Sequence, residues 1–245
     1  MKTILIVIFC WITCVIYAQP AIEKKLPWDY PVKLGTEEWN KMNSHQEAVN
    51  ACQIPEGVLT SLSTEDLTEI CLQYPFLFGS LFVCDTYEQG IHSLFGTFNG
   101  IKELFQREDV SKELLKQYHT MIQNLTILDG NDSDTLKALF IGTIAGTEIL
   151  LSSYETPDSK KENHIEMLQQ LVNGYEQKLM YPEIFGGFSL GTNFFARAKI
   201  IVKMDEQMLE QIPLKEKNRV FQLGRTDETT INTINNLSYQ LIKEK

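Results

Sequence analysis

Apolar residues recur at helical spacing along most of the chain. Val110, Leu114, Leu115, Tyr118 and Ile122 fall on one helical face, and Ile165, Leu168, Leu171, Val172, Tyr175 and Leu179 on another, behind a start marked by Thr156 and Pro157. Near the end, Ile231, Ile234, Leu237, Leu241 and Ile242 repeat the stripe, with Asp227 and Glu228 where the positive end of a helix dipole favours acid. The first third carries shorter signals. Ser44 with Glu47 matches a capping box and predicts a helix to about Gln53. Pro55 suits the first turn of a helix reaching about Leu62, and Ser63 with Asp66 opens another that ends before Pro75. The run Phe76 to Val83 is apolar throughout; taken alone it fits a buried strand, but its helical neighbours favour a buried helix.

Nowhere do several alternating strands stand between hairpin signals. The expected fold is therefore all-α, an irregular multi-helix bundle or loosely HEAT-like helical array of about nine or ten helices in one domain over residues 36–245. Residues 128–133, Leu-Asp-Gly-Asn-Asp-Ser, are the most turn-rich stretch and mark a possible sub-boundary near 129–133. Residues 19–35 hold three prolines and no amphipathic period, which predicts an extended leader. Trp28 and Tyr30 in it either dock the leader or offer a partner contact.

The N-terminus changes the picture of where the chain works. Lys2, the apolar run Ile4 to Ile16 and Ala18 before Gln19-Pro20 match a secretory signal peptide over residues 1–18, cleaved near Ala18. A secreted or periplasmic protein is expected, with no transmembrane segment after cleavage. Lys plus Arg total 22 against 32 Asp plus Glu, a formal charge of −10. Neither nucleic acid nor an anionic membrane surface is expected as a partner for such a chain, because both demand a basic footprint.

Cleavage would remove Cys10 and Cys14 and leave Cys52, Cys71 and Cys84. In an oxidising compartment Cys52 and Cys71 are the preferred pair for a disulfide, each sitting near the end of a short helix followed by Pro. Three buried thiols acting as small hydrophobes are the alternative.

Catalytic strings are sparse. Gly187-Phe188-Ser189-Leu190-Gly191 matches G-x-S-x-G, but no good strand precedes it and the last histidine, His164, lies upstream of the serine. Gly187 and Gly191, like Gly142 and Gly146, instead fit a smooth helix patch at a close crossing. Asp129, Asn131 and Ser133 begin a calcium-loop pattern that breaks at Asp134 and Phe140. His45, His92, His119 and His164 are scattered without metal-ligand spacing, and nothing local activates Cys84. No catalytic residue, cofactor or metal ligand is assigned.

Pro31-Val32, Gly35-Thr36-Glu37-Glu38-Trp39, Ala51-Cys52-Gln53-Ile54-Pro55, Leu62-Ser63-Thr64-Glu65, Cys71-Leu72-Gln73-Tyr74-Pro75 and Phe98-Asn99-Gly100 resemble the pattern of a group of secreted all-helical proteins of Gram-negative gut bacteria. The likeness covers residues 30–125 well and the remainder weakly. It implies a bacterial periplasmic or exported setting and an ordered leader, and it brings no activity, cofactor or catalytic residue. The expected function is a non-enzymatic protein- or peptide-interaction module, with an extracytoplasmic hydrolase acting on peptide or glycan as the alternative.

Overall fold

The computed structural model describes residues 25–33, 36–128, 134–153, 161–185 and 187–244. Among these there is no strand and there are 13 helices, nine of seven or more residues, so the fold is an all-α multi-helix array. The first seven are α1 (Glu37–Asn40), α2 (His45–Ala51), α3 (Glu56–Leu59), α4 (Thr64–Leu72), α5 (Leu77–Phe82), α6 (Tyr87–Thr97) and α7 (Asn99–Leu104). They are followed by α8 (Val110–Gln123), α9 (Asp134–Ser153), α10 (Lys161–Leu179), α11 (Gly187–Met204), α12 (Leu214–Leu223) and α13 (Glu228–Lys243). The excess over the expected number includes α1 and α7, which span too few turns for a hydrophobic period to register, whereas the short α3 and α5 fall where Pro55 and the apolar run 76–83 predicted helices.

The predicted starts coincide with side-chain caps. Ser44 Oγ accepts the Glu47 backbone N–H at 3.1 Å, Ser63 Oγ accepts that of Asp66 at 3.1 Å, and Asp227 accepts that of Thr230 at 2.8 Å. The return half of the capping box is displaced by one residue: Glu47 accepts the N–H of Asn43 at 2.9 Å. The stripe on α8 is buried throughout. On α10 it is buried from Ile165 to Val172, but Leu179 emerges, 48% exposed. The apolar run at 76–83 forms α5 and differs from a buried helix: Leu77 and Leu81 face inward, while Phe78 is 51% and Val83 81% exposed.

The core centres on α11, which packs against α9, α10, α12 and α13. From Thr192 to Ala198 every residue of α11 is buried, as expected of a helix surrounded on all sides. Its closest partner is α9, whose residues 136–153 are long and apolar enough by length and composition to cross a membrane. This apolarity has a packing cause, since 56% of that window is buried inside the fold. Of the predicted glycine crossings, Gly191 meets the backbone of Gly224, which ends α12 with φ of +64°. A side chain at Gly224 would collide with the Gly191 carbonyl, so both the left-handed turn and the contact require glycine there. The Gly142–Gly146 face of α9 receives side chains of α5: Leu77 and Leu81 lie 3.4 Å from the place a Gly146 Cβ would occupy.

Residues of the strings Ala51–Pro55 and Phe98–Gly100 build one internal clasp. Asn99 accepts the Ile54 N–H at 3.0 Å and donates to the Ile54 carbonyl at 2.7 Å, while Gln53 accepts the Asn99 N–H at 3.0 Å and donates to the Thr97 carbonyl at 2.9 Å. Tyr74 stacks on Phe98 beside it, ring centroids 3.9 Å apart and nearly parallel.

The leader is ordered over 25–33 by the same neighbourhood. The buried Tyr30 donates its hydroxyl to the Ile70 carbonyl at 2.9 Å, and half-buried Trp28 packs edge-on against it. Tyr30 is thus an internal anchor, with little of its ring left for a partner. Cys52 and Cys71 are both fully buried free thiols, the alternative to a bridge; the Cys52 thiol sits 3.9 Å from the Val32 carbonyl. Burial pushes the Cys52 thiol up to about 11 and raises that of Cys71 as well. The signal segment 1–18, the turn-rich 129–133 stretch with its calcium-like pattern, and the Thr156-Pro157 start all lie outside the described residues.

Candidate functional site: an apolar groove and a buried charge cluster

A groove of about 860 Å³ runs between the α4–α5 corner, α8 and α9. Leu72, Tyr74, Phe76 and Leu77 come from the corner, Gln117 and Met121 from α8, and Ala138, Leu139, Gly142 and Thr143 from α9. Tyr30 and Lys33 of the leader border it, with Lys33 paired to Asp29 at 2.6 Å. The apolar character follows from local folding: the Phe78 ring lies over Gly142, where a Cβ would come within 2.9 Å of it. Phe78 and Leu139 remain about half exposed, 51% and 48%. An apolar concavity of this size, in contact with solvent through large side chains, is what binding surfaces present.

Two of the helices that line the groove, α8 and α9, are also tied by a buried polar cluster that no spacing in the sequence announces. Glu148 of α9 is fully buried. One of its oxygens accepts from Tyr118 at 2.7 Å, from Lys178 Nζ at 2.7 Å and from Asn193 Nδ2 at 2.9 Å; the other accepts from Thr192 at 2.5 Å. Lys178 also donates to the Ser189 carbonyl at 3.0 Å, and Asn193 to that of Leu171 at 2.9 Å. The carboxylate therefore joins α8, α9, α10 and α11. Gly174 makes this possible, because a side chain there would overlap the Tyr118 hydroxyl.

Arg197 of α11 lies close by and is fully buried, its guanidinium 4.8 Å from the centre of the Tyr175 ring and 5.1 Å from that of Phe194. None of its three nitrogens has a hydrogen-bond partner among the described residues. Burial lowers Arg197 to about 10 and lowers Lys178 too, with Glu148 working in the opposite direction in each case. Burial and then the negative charge of Glu148 push the Tyr118 hydroxyl well above its ordinary value, so it remains a donor. Four donors to one sealed carboxylate fix helix positions; they leave no room for a reacting molecule.

The sequence motifs fall elsewhere. The G-x-S-x-G string occupies the first turn of α11 rather than a strand-to-helix elbow, and Ser189 is buried. His45 packs edge-on against Phe76, His119 Nδ1 meets Gln170 at 3.0 Å, and His164 is buried, held below its ordinary value by burial and by Lys203. Neither histidine nor cysteine lines the groove, and among the described residues no three His, Cys, Asp or Glu side chains gather as metal ligands do. Cys84 is half-buried, its thiol 3.8 Å from the Ser80 carbonyl. Sequence reasoning missed the cluster; the only signals were Glu148 inside the apolar run 139–151 and Arg197 among Phe194, Phe195, Ile200 and Ile201.

Comparison with family models, curated proteins and solved structures gives no match.

Proposed function

We propose that this chain is an exported, non-enzymatic module that holds a peptide or protein segment in the groove between α5, α8 and α9. One observation carries the reading: about 860 Å³ of largely apolar concavity, bordered by the half-exposed Phe78 and Leu139. A helical segment with apolar residues on one side suits such a groove, since burying them supplies affinity at roughly 25 cal/mol per Å² before the ordering costs. The cluster around Glu148 supports the reading by pinning α8 to α9, so the groove is formed before its occupant arrives. The signal-like N-terminus supports export.

A displayed peptide library selected on the full chain tests the proposal. Enriched sequences should carry apolar residues at i and i+3 or i+4, and Phe78→Asp should abolish their binding. Val83→Asp, equally polar and outside the groove, should leave it intact. Absence of any enriched family, or binding indifferent to Phe78→Asp, would refute the assignment.

A further inference from the structure

A second concavity, of about 470 Å³, shares no lining residue with the groove. It lies where the end of α11 meets the 3₁₀ turn Glu206–Leu209 and the start of α12. Its apolar surface comes from Val202, Leu209, Leu214 and Phe221, of which Leu214 is 70% exposed although it sits at the mouth of a cavity.

Three lysines converge there, in a chain of formal charge −10: Lys199, Lys203 and Lys217. All three are half-buried and border the cavity. Two are already engaged. Lys199 pairs with Glu88 at 2.7 Å, and Lys203 donates to the Ser152 carbonyl at 2.8 Å, near the negative end of α9. Among the described residues, the Lys217 ammonium has neither an ion-pair nor a hydrogen-bond partner, its backbone N–H donating to the Pro213 carbonyl at 2.9 Å. The ten-residue helix α12 adds to the positive field: Pro213 precedes it, no side chain caps it, and its first residue, Leu214, borders the cavity. Glu206 in the lining and the buried Glu216 in the first turn of α12 stand against this, Glu216 being paired with Arg219 at 3.0 Å and Glu88 with Lys199 at 2.7 Å.

We infer that this cavity binds a small amphipathic monoanion, an apolar body of modest size carrying one carboxylate or comparable anionic group. The apolar side chains would take the body, and Lys217 with the open end of α12 would take the charge. The volume falls within the usual range for small-molecule sites and is too small for a folded partner. The exposure of Leu214 then has a use, as the lip over which the apolar body lies.

Octanoate is the probe, titrated into the full chain by calorimetry and compared with octan-1-ol and octylamine. Octanoate should bind with one site and octylamine should not. Lys217→Gln should weaken octanoate roughly tenfold, the loss expected for one charge-assisted hydrogen bond. Lys215→Gln, which removes the same charge from an exposed position outside the cavity, should change affinity less than twofold. The inference fails if octanoate does not bind, if octan-1-ol binds equally well, or if the two lysine variants weaken binding alike. Thermal melts of both variants, expected to match the parent, separate lost binding from lost folding. Phe78→Asp should leave octanoate affinity unchanged, so this result stands or falls independently of the groove.

Discussion

Replacing Lys178 by Met keeps the length of the side chain and removes its charge, leaving Glu148 fully buried and short of its only cationic hydrogen-bond donor among the described residues. Tyr118, Thr192 and Asn193 still donate, but neutral donors do not offset the desolvation of a carboxylate. Removing one partner of a buried pair costs about 3–5 kcal/mol. The opposite change, Glu148→Gln, leaves the buried ammonium with neutral acceptors, the Ser189 carbonyl and the new amide oxygen, and with no anion to offset its burial or the nearby Arg197, at a similar cost. Against a total stability of about 5–15 kcal/mol for an ordinary folded chain, either variant loses a large share. At this chain length each kcal/mol moves Tm by about 2–4 °C, so each melt should fall by roughly 6–20 °C. The double variant lacks both charges and should lose markedly less than the two singles together, with a coupling of about 2 kcal/mol or more. Urea unfolding followed by circular dichroism, with all four proteins at one pH, gives the cycle. If Lys178→Met costs under about 1 kcal/mol, or the two changes add within about 0.5 kcal/mol, the pair does not join α9 to α10 as described.

Two further outcomes follow from single residues. His164 has its folded value lowered below 6.5, so between that lowered value and 6.5 the unfolded chain binds more protons and stability rises with pH. Its contribution is complete above 6.5 and is lost as the pH falls through the folded value; urea midpoints at about pH 7.5, 6.5 and 5.5 should therefore drop less steeply in His164→Gln than in the parent. Gly174→Ala should destabilise by more than about 2 kcal/mol through collision with the Tyr118 hydroxyl, whereas Gly96→Ala, whose added Cβ meets nothing within 4 Å, should be neutral or stabilise by up to about 1 kcal/mol in the same unfolding assay.

The long helices were legible because their buried faces repeat with the helical period: Val110 to Ile122 and Ile231 to Ile242 need no tertiary information. Caps were legible because Ser44 and Ser63 act within three residues, while Asp227, read as a first-turn acid, is itself the cap. The groove and the lysine cavity were not, since each draws side chains from segments more than 60 positions apart. Tyr118, Glu148, Lys178 and Asn193 likewise meet only through packing: Tyr118 reads as one more member of an apolar stripe, and Lys178 and Asn193 alone pass for solvated residues. The exposure of Phe78 eluded the pattern for another reason: a continuous apolar run carries no information on which side faces outward. Gly187 and Gly191 drew attention as a pair, yet the contact that needs a glycine joins Gly191 to Gly224, across 33 positions of chain.

The clasp of Asn99 with Ile54 has a chemical consequence for the lifetime of the molecule. Asn99 is followed by Gly100, the neighbour that least hinders attack of a backbone nitrogen on the amide carbon, with closure to a succinimide and release of ammonia. While the fold holds, both ends of that amide are occupied by Ile54 and the ring cannot close without breaking them. Unfolding removes the protection, and hydrolysis of the ring leaves an acid where the clasp needs a donor to the Ile54 carbonyl. Chains that spend long unfolded should therefore age into forms that no longer close this corner, so the time a chain spends unfolded is recorded at this one amide.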